Sequence, residues 1–197
     1  MRFHDITGAV ICGGQSKRFG SDKRLFKYKG NTFLDISFQK LNQICHKTLC
    51  VFRAPPPISL KNYPHIFDDF EIEGPMAGIL SALNCSKSPY VFVLPCDVPH
   101  ISIDFLKFFA SLRSQEKIVI LYTDRLEPLI GIYPKSIYKM LKAFSSLKNH
   151  SLKLFFHDLP VSKKVLVKLA DVGNEKVTLS EFKNFNYGVR SFVDQYF

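Results

Sequence analysis

Residues 6–23 read Ile6-Thr-Gly-Ala-Val-Ile-Cys12-Gly13-Gly14-Gln-Ser-Lys-Arg18-Phe-Gly20-Ser-Asp-Lys23. The first seven form a largely apolar run that predicts a buried β-strand. The glycine pair behind it lets the backbone turn sharply and approach a ligand closely, because neither residue has a Cβ. Ser16, Lys17, Arg18 and Lys23 then place one hydroxyl and three cations on the same loop. Successive backbone N–H groups in such a turn can converge as an anion-binding nest. The chemistry indicated is a grip on a polyphosphate. An ordinary strand-to-loop turn with a solvated basic flank is the bland alternative; Arg18 and Lys23 in one tight loop after a buried strand weigh against it.

Two better-known glycine loops are excluded by spacing. A P-loop has four residues between its glycines and then Lys-Ser/Thr, whereas five separate Gly14 from Gly20 and Ser-Asp follows. The dinucleotide fingerprint Gly-x-Gly-x-x-Gly fails because Gly13 and Gly14 are adjacent.

Outward from the loop, strands and helices alternate. Leu25–Tyr28 is short and extended, and Asn31 or Thr32 caps a helix in which Leu34, Phe38, Leu41 and Cys45 recur at helical spacing. Thr48–Phe52 predicts a second buried strand, stopped by Pro55-Pro56-Pro57. His65–Phe67 is a brief extended piece, and Gly74-Pro75 opens a helix of small residues, with Pro in the first turn where no N–H partner is required. Tyr90–Leu94 is the strongest strand, followed by Pro95-Cys96-Asp97. Ser102 caps a helix carrying Leu106, Phe109 and Leu112. Strands at Ile118–Tyr122 and Leu129–Tyr133, a helix over Lys135–Leu147, a strand at Val165–Leu169 and a closing helix at Val189–Phe197 complete the pattern; Leu152–Phe156 reads either way. The alternation predicts an α/β, Rossmann-like three-layer sandwich with a mostly parallel sheet, one domain over residues 1–197.

In an open α/β sheet, ligands bind outside the carboxyl ends of the strands. The glycine loop, Asp68/Asp69 and Asp97 all fall at such ends. An aspartate there, facing bound phosphates, suits Mg²⁺, which takes one or two carboxylates plus phosphate oxygens. A helix-capping or turn aspartate before Pro99 is the structural alternative for Asp97.

Composition bounds the partners. The chain of 197 residues is 46% hydrophobic and 14% aromatic, as a globular protein is. No apolar run approaches the roughly 20 residues of a membrane span, and Met-Arg-Phe-His-Asp runs directly into the first strand, so neither membrane nor signal peptide is expected. Five cysteines without a Cys-x-x-Cys pair suit free thiols in a reducing cytoplasm. A net charge of +10 attracts anions. No compact basic tract or RNA-binding motif is present, so small phosphorylated substrates are expected, not nucleic acid. The six histidines, His4, His46, His65, His100, His150 and His157, are scattered and form no constellation.

Gly13-Gly14-Gln-Ser-Lys-Arg18-Phe-Gly20-Ser-Asp-Lys23 resembles the Gly-Gly-x-Ser-x-Arg-Met-Gly-x-Asp-Lys signature of nucleotidyltransferases, and among these the molybdenum cofactor guanylyltransferases of the MobA type. Leu-Pro-Cys-Asp97-Val-Pro is similar to that family's Cys-Asp-x-Pro, whose Asp binds magnesium. Gly74-Pro-Met-Ala-Gly78 is similar to its Gly-Pro-Leu-Ala-Gly, shortly before which an aspartate contacts the nucleotide. Asp69 is the better match for that aspartate, with Asp68 left open. Glu127-Pro128-Leu129 with Tyr133 resembles an element near the acceptor side, and Asn184-Phe185-Asn186 a segment before the last helix. The resemblance implies transfer of GMP from GTP to molybdopterin cofactor with release of pyrophosphate, by a monomer or weak homo-oligomer. It implies Arg18, Lys23 and Asp97 as catalytic residues. Ile11, Cys12, Gly13, Gly14, Ser16, Lys23, Asp69 and Asp97 are implied on GTP, and Asp97 on Mg²⁺.

Two positions depart from the family: Ile11-Cys12 stands where Leu-Ala is usual, and Phe52-Arg53-Ala54 where an asparagine contacts nucleotide. Cys12 then has two readings. Among inward-pointing N–H groups and cations its thiol pKa would fall; as a small buried stand-in for alanine it would be inert. Two rival functions also stand: another nucleotidyltransferase, using CTP or UTP with a sugar phosphate or the cytosine form of the cofactor, and a non-catalytic nucleotide-binding regulator.

Overall fold

Phe3–Ile11 form strand β1, and from Ile6 onward every residue of it is buried. A strand covered on both faces reads as a continuous apolar run with no alternation. The one polar side chain in the buried stretch from Ile6, Thr7, is satisfied by donating to Ser88 Oγ at 2.9 Å and accepting from Ser86 Oγ at 3.0 Å. The computed structural model describes residues 2–13, 22–68, 71–72, 74–147 and 150–168, with the backbone alone at Lys23. After β1 come the two-residue strands β2 (Lys27–Tyr28) and β3 (Asn31–Thr32), then α1 (Phe33–Ile44), β4 (Cys45–Phe52), β5 (His65–Phe67), α2 (Pro75–Cys85) and β6 (Tyr90–Pro95). The remainder is α3 (Ile103–Ser111), β7 (Ile118–Tyr122), β8 (Leu126–Pro134), α4 (Tyr138–Ser146), α5 (Leu152–Asp158) and β9 (Lys164–Lys168).

Seven strands make the main sheet in the order β5-β4-β1-β6-β8-β7-β9. Only β8 runs against its neighbours. Side chains alternate between the faces. Ile6 and Val10 pack with α1 and α3 on one side, while Ala9 and Ile11 pack with α2, α4 and α5 on the other. The result is the expected three-layer α/β sandwich. Among the described residues no helix is long and apolar enough to cross a membrane.

Local chemistry explains the boundaries. Thr32 caps α1 through a capping box: it accepts from Asp35 N at 3.0 Å while its own N–H donates to Asp35 Oδ2 at 2.9 Å. Ser102 and Ser151 cap α3 and α5 one way only, their side chains accepting from Phe105 N and Leu154 N. The ambiguous stretch Leu152–Phe156 is therefore helical. Cys45, expected on α1, instead opens β4, because β1 begins early enough to pair Phe3 with Cys45. The helix expected over Lys135–Leu147 begins as a 3₁₀ turn at Lys135–Ile137. Leu169 and the closing helix Val189–Phe197 lie outside the described residues.

The carboxyl end of β1 also settles the reading of Cys12. Cys12, Cys50 and Cys96 are all buried in one core cluster, and the Cys12 thiol donates to Val10 O at 3.4 Å. Burial, and then the neighbouring Cys50 and Cys96 thiols, push the Cys12 thiol well up. Desolvation penalises the thiolate, the opposite direction to the lowered pKa expected from the loop cations.

Two outcomes follow from this packing. Native protein treated with N-ethylmaleimide should label at Cys85, the exposed cysteine, and at Cys12 only as fast as the protein unfolds; peptide mapping that finds Cys12 modified first would contradict the burial. Gly78 of α2 lies where a Cβ would come within 3.2 Å of two Ile11 side-chain carbons. Gly78→Val should therefore cost about 1–3 kcal/mol by overpacking, read as a lowered denaturant midpoint at unchanged slope.

Candidate active site

The strand order reverses at β1. The chain leaves it for β4 and β5 on one side and returns to β6 on the other. That reversal opens a crevice at the carboxyl ends, where α/β sheets bind ligands. In register, Ile11 pairs with Val51 on β4 and with Pro95 on β6. One residue beyond come Cys12 and Cys96, and one further Gly13 and Asp97. Cys12 N donates to Val51 O at 2.9 Å, extending the ladder to the edge of the glycine turn.

Gly13 is exposed at this rim. A Cβ on it would lie 3.5 Å from Asp68 Oδ2 and 3.9 Å from Arg53 Cβ. Asp68 is buried, and its N–H donates to Phe52 O at 2.9 Å, so the end of β4 places it. Its Oδ1 is 3.5 Å from Arg53 Nη1, which also donates to Ile72 O at 2.6 Å. Arg53 thus ties the end of β4 to the approach of α2. Of the Asp68/Asp69 pair, Asp68 is the one seen to reach Gly13; Asp69 is outside the described residues. Gly74 holds φ at +74°, a region open to glycine, and precedes Pro75 at the start of α2. Close approach of Gly78 to Ile11 brings that helix against the same rim.

Asp97 is half-buried in the turn that follows β6. Ser37 on α1 donates to Cys96 O at 3.3 Å, and Lys40 Nζ donates to Pro99 O and Ile101 O at 2.6 and 2.7 Å. His100 lies against the Tyr28 ring with centroids 4.8 Å apart. Burial first, then the charges of Lys40 and Lys29, pull its pKa down.

At the far end of the glycine loop, Asp22 accepts from Arg24 Nε at 2.8 Å and from Arg24 N at 3.0 Å, and the guanidinium lies 5.4 Å from the Phe52 ring centroid. Hydrogen bonds from Arg24 hold the Asp22 carboxyl below its ordinary 3.8. A carboxyl depressed by folding stabilises above its unfolded pKa and loses that contribution as pH falls through the folded one.

Ile11, Cys12, Gly13 and Asp97 therefore converge at one rim, joined by Asp68. Gly14, Ser16, Arg18 and Asp69 lie outside the described residues, as does the Lys23 side chain. Lys23 itself begins a 3₁₀ turn, Lys23–Leu25. Glu127 is the second residue of β8 and pairs with Arg125 at 2.8 Å, while buried Tyr133 donates to Pro128 O at 2.6 Å. Asn184-Phe185-Asn186 is outside the described residues. Sequence reading missed Arg53 as a partner of Asp68, and missed Lys40 and Arg24 altogether. Only the Asp-Lys-Arg order at 22–24 hinted at a local pair.

Among the described residues no group of three or more His, Cys, Asp or Glu could hold a metal. A single carboxylate at a strand end nevertheless fits Mg²⁺, which completes its shell from phosphates and water instead of an all-protein cage.

Comparison with known proteins bears on this arrangement. Residues 8–164 match the MobA-like NTP transferase domain. A probable molybdenum cofactor guanylyltransferase of Clostridium perfringens (strain 13 / Type A) is 30% identical over 193 residues, covering 96% of this chain and 93% of that protein. One from Carboxydothermus hydrogenoformans is 30% identical over 158 residues, with 80% of each covered. Among solved structures, molybdopterin-guanine dinucleotide biosynthesis protein A of Archaeoglobus fulgidus superposes with a TM-score of 0.76 at 21% identity, covering 91% of this chain and 92% of the other. At 16% identity, 4-diphosphocytidyl-2C-methyl-D-erythritol synthase of Anaerococcus prevotii shares the fold, with a TM-score of 0.61 and 90% and 92% covered. With four-fifths of its length inside the match and its glycine turn at the strand-order reversal, this chain belongs to the MobA-like NTP transferase domain family.

Proposed function

We propose that the protein transfers GMP from GTP to the terminal phosphate of molybdopterin cofactor and releases pyrophosphate. The observation that carries this reading is the convergence of Gly13, Asp68 and Asp97 at the carboxyl ends of β1, β5 and β6, in a chain whose relatives bear the guanylyltransferase name. An acceptor phosphate oxygen attacks the α-phosphorus of GTP in line. The new P–O bond forms as the bond from α-phosphorus to the bridging oxygen breaks, and pyrophosphate departs with that electron pair. The attacking oxygen is already anionic, so no general base is required, in keeping with the scattered histidines.

The chain's task is then to position the reactants and neutralise charge. Backbone N–H groups of the Gly13-Gly14 turn, with Ser16, hold the phosphates, and Arg18 and Lys23 offset charge on the leaving pyrophosphate. Asp68 presents an acceptor-only carboxylate beside Gly13, which suits guanine, whose N1–H and N2–H₂ donate from one edge. Asp69 stands as the other candidate for that contact. Asp97 holds Mg²⁺, which when bound supplies neutralisation of phosphate charge. All the cysteines are free thiols, which suits the reducing cytoplasm where we place the reaction.

The decisive experiment offers the four NTPs separately, with molybdopterin cofactor and Mg²⁺, and measures labelled pyrophosphate. Release with GTP alone is expected. Release with CTP or UTP would overturn the base assignment, and release with none would leave a nucleotide-binding regulator. Lys23→Ala should lower turnover about 10²-fold or more, as removal of one preorganised donor does, with little change in melting temperature. Asp97→Asn should abolish metal-dependent turnover while the folded protein still binds GTP; a loss of stability that accounts for all the lost activity would instead make Asp97 a turn residue.

A further inference from the structure

Ser37 and Lys40 are three residues apart on α1 and so share one face of the helix. That face meets the turn carrying Asp97. Ser37 donates to the carbonyl immediately before Asp97, and the Lys40 ammonium donates to two carbonyls beyond it, Pro99 O at 2.6 Å and Ile101 O at 2.7 Å. Two carbonyls two residues apart can converge on one ammonium only where the chain bends around it. Val98 and Ile101 anchor the same bend in the core, at 1% and 0% exposure. A backbone bond within the bend, Ile101 N to Val98 O, is long at 3.4 Å. Pro99 has no N–H with which to add another. The ammonium is therefore a short, charged tie on the turn. His100, between the two accepting carbonyls, is turned outward against Tyr28.

We propose that Lys40 is a positioning residue for Asp97: by gripping Pro99 O and Ile101 O it fixes the 96–101 turn, so that the Asp97 carboxylate is held ready for a divalent cation at the rim. This rests on the reading that Asp97 takes the metal of a bound nucleotide. Lys40 is assigned no contact with nucleotide or metal. It acts through the backbone of the turn, as residues behind a metal ligand commonly do, and loss of such partners lowers metal affinity or activity by roughly 10–100-fold.

The test uses the full chain with Lys40→Met, which keeps the aliphatic stem and removes the donors, and Lys40→Arg, which restores charge and N–H groups. Mn²⁺ binding in the presence of GTP is followed by electron paramagnetic resonance, and kcat and KM for GTP are measured beside it. Lys40→Met should weaken Mn²⁺ binding and lower kcat by roughly 10–100-fold, with KM for GTP little changed, and Lys40→Arg should recover part of both. Alkylation of Cys96, 9% exposed in the parent, should quicken in Lys40→Met as the turn loosens. Parental Mn²⁺ affinity and kcat in a folded Lys40→Met overturn the proposal, whatever happens to Cys96. If Lys40→Met does not fold, Lys40→Gln, which keeps two N–H donors without the charge, carries the same comparison. If the parent releases no pyrophosphate from any NTP, the transferase reading fails, while the Mn²⁺ affinities of parent and variant still decide the role of Lys40. Mn²⁺ binding that Asp97→Asn does not weaken overturns both.

Discussion

Everything at the rim depends on β1 being hydrogen-bonded along both edges while buried on both faces. Val10 is locked between Cys50 and Leu94, and Ile11 between Val51 and Pro95. Because side chains alternate, a slip of one residue would exchange the two cores and turn Cys12 onto the wrong face. The double ladder forbids that slip, and so fixes the level at which three chains leave the sheet. Gly13, Arg53 and Asp97 emerge at that level because their strands end together. The crevice is a consequence of register before it is a consequence of any side chain.

Two ion pairs flank the rim. Asp68 has Arg53 at 3.5 Å, and Asp22 has Arg24 at 2.8 Å. These pairs organise the margins of the glycine loop. Arg53 joins β4 to the approach of α2, and Arg24 joins the loop's end to the Phe52 ring. The +10 net charge of the chain favours anionic ligands from a distance.

Much of this was legible in the sequence, and what was not has a common physical cause. β1 and β6 are legible because strands buried on both faces leave unbroken apolar runs, and the Thr32 and Ser102 caps because capping is a short-range pattern. Asp97 was legible from its place after a strong strand. The start of β4 at Cys45 was not, since the pairing partner Phe3 that draws it into the sheet lies far back in the chain. Arg53 looked like a departure from the family's asparagine, and its bonds to Asp68 and Ile72 span 15 and 19 residues. Lys40 lies in no motif, and its acceptors are 59 and 61 residues away. Long-range contacts of single polar side chains leave no periodic trace.

Cys12 shows which features of the glycine turn the chemistry requires. Where the family has alanine, this chain has a thiol, yet that thiol points into the core and its pKa rises. A small residue is needed there because the side chain must fit against Cys50, Cys96 and the Phe52 region without disturbing the ladder. What the turn uses is the backbone of Cys12, whose N–H donates to Val51 O and so carries strand geometry to the last residue before the glycines. Alanine and cysteine serve that backbone equally. The side chain at this position is constrained by packing, so a departure from the family motif here leaves the proposed phosphate grip intact.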